Sequence, residues 1–71
     1  MYRTYVTSVI NQEDFCINTG KDNELHTNEK IYVLSAAGLV KANVVKIFDD
    51  QSICKADKEN SVKINDIVIT D

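Results

Sequence analysis

His26 is the single histidine of the chain, and Cys16 and Cys54 are its two thiols. A thiol beside a histidine, with an acid to orient the ring, would make a nucleophilic site. His26 lies in Asn23-Glu24-Leu25-His26-Thr27-Asn28-Glu29, a polar stretch that reads as a solvated loop. Neither cysteine neighbours it, and a buried thiol acting as a small hydrophobe explains both. The cysteines form no C-x-x-C pair and no metal-ligand spacing. A disulfide between them needs a fold that brings them together and an oxidising compartment. The carboxylates gather at Glu13-Asp14, at Asp22 and Glu24, and at Asp49-Asp50. None of these sets has the oxygen count and spacing of a calcium loop, so they read as solvated hairpin tips. No glycine-rich phosphate cradle is present. The expectation is a non-enzyme with no cofactor and no metal.

The aromatic residues offer a different chemistry. Tyr5, Phe15 and Tyr32 are candidates for one sheet face, and an exposed tyrosine suits a protein contact. With Arg3 and Lys30 alongside, the same three rings would be a stacking platform for single-stranded nucleic acid. Charge opposes that use. The net charge is −3 and the isoelectric point is about 4.9, with the lysines dispersed along the chain. Phosphate binding needs clustered Lys and Arg. The expected partner is therefore another protein, or a second copy of the chain, rather than nucleic acid.

The elements that position these residues are strands. Val, Ile and Thr total 21 residues, against 7 Leu and Ala, and β-branched side chains favour a pleated surface. No run of about 18 apolar residues could span a bilayer. Met1 to Ile10 lacks the apolar core of a secretory leader, so the chain reads as cytoplasmic. At 71 residues the sequence is expected to form one domain, 1–71.

Six strands are expected, with polar turns between them. They cover Arg3 to Ile10, Phe15 to Asn18, Lys30 to Ser35, Leu39 to Phe48, Ser52 to Ala56 and Ile67 to Thr70. Lys21 to Asn28 is a loop with room for one helical turn. In the fourth strand the alternation changes phase at Val44-Val45, which predicts a bulge or sharp bend. Closure into a barrel removes exposed edges that so short a chain cannot cover.

Two segments echo one another: Leu25 to Val33 and Val62 to Ile69 both place Asn and an acid just before a β-branched strand. Asn28 and Asn65 are thus expected in left-handed turns. The pattern resembles the "V-K-x-G-D-x-V" turns of small bacterial β-barrel modules of SH3-like type, such as the C-terminal barrel of a flagellar T-ring assembly protein. Asp14-Phe15-Cys16-Ile17-Asn18-Thr19-Gly20 stands where that family has "D-F-x-I-N-x-G". Gly38 to Val45 stands where it has "G-x-x-x-A-x-V-x-V". The resemblance spans Thr4 to Thr70, with Asn28 and Asn65 at the family's usual glycines. It implies an assembly module with no catalytic site, and no functional residue carries over.

The expected fold is all-β, a small SH3-like barrel of about six short strands, with an OB-like barrel as the alternative. Its expected core is Val6, Phe15, Ile17, Ile31, Val33, Val44, Ile47, Ile53, Ile64, Ile67 and Ile69. The expected function is a non-catalytic protein-interaction or assembly module that could self-associate, with strand pairing at an open edge as the binding mode. The alternatives are a single-stranded nucleic-acid or nucleotide binder, and a small inhibitor protein of a phage or mobile element.

Overall fold

Alternating burial along short β-branched segments builds a single antiparallel sheet. The computed structural model describes residues 3–70. Its strands are β1 (Val6–Val9), β2 (Asp14–Ile17), β3 (Lys30–Ser35), β4 (Gly38–Ile47), β5 (Ser52–Ala56) and β6 (Ile67–Ile69). A turn of 3₁₀-helix, Lys21–Asn23, fills part of the loop before β3. The order across the sheet is β1-β2-β5-β4-β3-β6. The sheet curls until its two outer strands meet: Tyr5 bridges to Ile67, Val6 N–H donates to the Asp66 carbonyl, and Val68 N–H donates to the Thr4 carbonyl. The expected all-β small barrel is therefore the fold observed.

β4 makes the curl possible. Its first half, Gly38 to Asn43, pairs with β3, and its second half, Ala42 to Ile47, pairs with β5. Between Val44 and Lys46 the register slips, leaving Val45 as the extra residue of a bulge, at the phase change visible in the sequence. A bulge bends its strand and strengthens the local twist. One ten-residue strand thereby serves both halves of the barrel.

The interior is closed by residues from all six strands. Phe15, Cys54 and Val44 sit opposite one another on β2, β5 and β4, and all three are fully buried. Val6, Ile17, Ile31 and Val33 join them, as expected. Ile47 is half-buried and packs against this core. Removing each such side chain from water is worth about 1.5–3 kcal/mol.

Three expected core positions face outward, and Ile53, like Ile47, is only half-buried. In β6 it is Val68, opposite Val33, that points inward, so Ile67 and Ile69 are exposed. An unbroken I-V-I run gives no alternation from which to choose, and the turn ahead of it sets the face. Asn65 N–H donates to the Val6 carbonyl and fixes that register, while Ile64 lies exposed in the same turn. In β5 the inward residues are Ser52, Cys54 and Ala56, leaving Ile53 half-buried. The small residues face Ile17 and Phe15 across the β2–β5 ladder, where large side chains already fill the space. Ser52 buries its hydroxyl without cost of an unmade bond by donating to the Thr19 carbonyl at 2.7 Å. Leu25, alone in its polar loop, is also buried and joins the core cluster.

The turns follow the residues that make them. Asn28 has φ of 68° and Asn65 of 75°, both left-handed as their sequence context predicts. Gly38 takes φ of 109° immediately after the two-residue β3–β4 turn, Ala36-Ala37.

Candidate interaction face

The outward side chains of β3 are Lys30, Tyr32 and Leu34. Directly opposite Leu34 lie Leu39 on β4 and Ile67 on β6, and Ile67 in turn bridges Tyr5. Opposed residues of an antiparallel ladder share a face at about 4.5–5.5 Å between Cβ atoms. Tyr5, Ile67, Leu34 and Leu39 therefore form one row across β4, β3, β6 and the bridge residue just before β1. A second row beside it holds Ile69, Tyr32 and Lys41. The six apolar side chains of these rows are each 37% to 62% exposed. At roughly 200 Å² for each fully exposed side chain they present on the order of 500 Å². That lies at the upper end of what a monomer leaves in water.

Of the three aromatic residues expected on one face, Tyr5 and Tyr32 are on this surface, separated by β6. Phe15 is not: it is fully buried on the other side of the sheet, opposite Cys54. The strand parity that puts Phe15 inside follows from Asp14 and Cys16 flanking it on a hairpin whose tip is polar. The four aliphatic members, Leu34, Leu39, Ile67 and Ile69, were missed by sequence reasoning. For Ile67 and Ile69 the misread face of β6 is the reason. For Leu34 and Leu39 the signal was legible, since Ile31, Val33 and Val40 already claim the opposite face.

Other residues with chemical potential are placed apart. His26 is exposed, and its amide donates to a Glu29 carboxylate oxygen at 3.2 Å. Cys16 and Cys54 are both free thiols, on opposite faces of the sheet. Burial, and secondarily the nearby Cys16, pushes the Cys54 thiol up to about 12. It therefore stays protonated at neutral pH and makes a poor nucleophile. Glu13 and Asp14 belong to a hairpin tip organised by Asn11, whose side-chain oxygen accepts both of their amides. Among the described residues no three His, Cys, Asp or Glu side chains gather in a metal-binding group. A cleft of about 150 Å³ beside that hairpin is lined by Val9, Phe15, Val62 and polar neighbours. It is smaller than the 300–1,000 Å³ or so typical of small-molecule sites. No helix among the described residues is long and apolar enough to cross a membrane.

No protein-family model matches the chain, and no curated protein matches it.

Proposed function

We propose that the chain is a non-catalytic protein-interaction or assembly module of SH3-like type, and that its contact surface is the outer face of β3, β4, β6 and Tyr5. The contiguity of six exposed large apolar side chains carries this reading. A standard protein interface covers about 800 Å² on each partner, with an apolar centre and a polar rim. The two rows are the size of such a centre. This face replaces an open strand edge as the binding surface, because the outer strands are bridged to one another. The two unpaired thiols on opposite faces suit a reducing cytoplasm. An inhibitor protein would act through the same kind of contact.

A single-stranded nucleic-acid binder is the second reading, favoured by the exposure of Tyr5 and Tyr32 with Arg3 and Lys30 also exposed. In-cell photo-crosslinking separates the two. A benzophenone side chain placed at Leu39 is expected to give protein adducts, and one at Lys58 none. Nucleic-acid adducts alone would move the assignment to the second reading. Equal labelling at both positions, or none at Leu39, would overturn it.

A further inference from the structure

We infer that the face described above takes an acidic, apolar-rich segment of a different protein; the inference rests on that face being the contact surface. The distribution of charge carries it. The chain has 11 acidic residues against 8 Lys and Arg. Yet the outward positions of β3, of β6 and of the β3-paired half of β4 hold Lys30 and Lys41 and no carboxylate. Lys41 lies opposite Tyr32, and Lys30 follows on the same strand, opposite Asn43. Both lysines are exposed. Among the described residues the ion pair is Lys55 with Glu13 at 3.9 Å, so neither Lys30 nor Lys41 has a carboxylate partner. Of the neighbouring acids, Asp66 accepts the Lys63 amide at 2.9 Å and Glu29 accepts the His26 amide, while Asp57, whose own amide donates to the Lys41 carbonyl, stands beside Lys41 without forming an ion pair with it.

An apolar surface flanked on one side by two unpaired cations has a defined complement. It is a segment that buries apolar side chains on the two rows and sets carboxylates against Lys30 and Lys41. A second copy of this chain is a poor complement, because the outward strand positions of its matching face repeat the two lysines and hold no carboxylate. Nucleic acid would meet the lysines with phosphate, but would leave four aliphatic side chains without a use. Electrostatic matching of this kind chooses among partners more than it adds affinity.

The test uses two fluorescent synthetic peptides with one shared leucine pattern, one carrying glutamates between the leucines and the other lysines. Binding to the full chain is followed by anisotropy. The glutamate peptide is expected to bind, with the lysine peptide weaker by at least about tenfold. Added salt is expected to narrow that gap. The Lys30→Glu/Lys41→Glu double variant should reverse the preference, and Leu34→Ser should weaken both peptides. Unchanged urea midpoints would show that these exposed substitutions leave folding intact. Equal binding of the two peptides, lost in Leu34→Ser, would overturn the acidic partner while leaving the face as the contact surface. Absence of binding by the glutamate peptide, or binding indifferent to Leu34→Ser, would also overturn it. So would a dimer in light scattering that Leu34→Ser dissolves, because the occupant would then be a second copy.

Discussion

Tyr5 pairs with Ile67 where the first and last strands of the barrel meet. Three backbone hydrogen bonds stand beside this bridge: Val6 to Asp66, Asn65 to Val6 and Val68 to Thr4. Val68→Pro removes the N–H that reaches Thr4 and cannot fit the buried Val68 side chain's place. A loss of about 2–4 kcal/mol is expected from urea unfolding. If the variant matched the parent, the seam would not be holding the barrel closed.

Asn28 and Asn65 have the backbone geometry that glycine adopts freely. Replacing either with Gly should change stability by less than about 1 kcal/mol, while Val should cost about 1–2 kcal/mol at each site. Thermal denaturation of the four single variants measures this. Equal tolerance of Gly and Val would show that the turns relax.

Gly20 has an extended backbone, and its requirement is space. A Cβ there would run into the Phe48 carbonyl oxygen and lie 2.8 Å from Gln51 backbone atoms. Those atoms belong to the β4–β5 turn, and the Lys21 amide donates to the same Phe48 oxygen. Gly20→Ala is expected to cost about 1–3 kcal/mol because backbone, not a flexible side chain, must move. At Gly38 the added Cβ meets nothing, so any cost of Gly38→Ala is conformational.

The buried Cys54 thiol ties stability to alkaline pH. Its proton leaves the unfolded chain near pH 9.0 but is held to about 12 in the fold. The stabilisation is complete below pH 9 and is lost as pH rises toward 12, by about 1.4 kcal/mol per pH unit in that window. The measurement is the urea midpoint across this range, for the parent and for Cys54→Ala. The variant should show the flatter dependence. In native conditions iodoacetamide should modify half-buried Cys16 well before Cys54.

Leu34, Leu39 and Ile69 should be nearly dispensable for folding. Each is exposed, so substitution by Ser is expected to shift stability by less than about 0.5–1 kcal/mol. A large destabilisation would mean that the face belongs to the core and not to a partner.

Sequence patterns carried most of this fold, and particular residues show where they stopped. β3 and β5 have the limits that alternation and turn residues predict, and the bulge at Val45 is visible as a broken period. Asn28 and Asn65 announce their turns. β6 failed because Ile67, Val68 and Ile69 are equally apolar, so only a long-range contact with Val6 and Thr4 chooses the buried one. β5 failed because Ser52 can be buried when a distant carbonyl accepts its hydroxyl, and no local pattern reveals that acceptor. The interaction face inherits both outcomes. Tyr5 and Tyr32 were found, Phe15 lies in the core where the core reading had it and not on the face, and Ile67 and Ile69 came into view only with the register of β6.

The pairing of the first strand with the last also orders the chain's synthesis. β3, β4 and β5 are consecutive and can zip together as soon as they leave the ribosome. The seam at Tyr5 and Ile67 has no such shortcut, since β1 must wait for nearly everything that follows. Until β6 emerges, the inner faces of Val6, Phe15 and Val33 lack their closing strand, and the nascent chain exposes apolar surface that chaperones recognise. Closure of this barrel is thus an event that follows translation of β6.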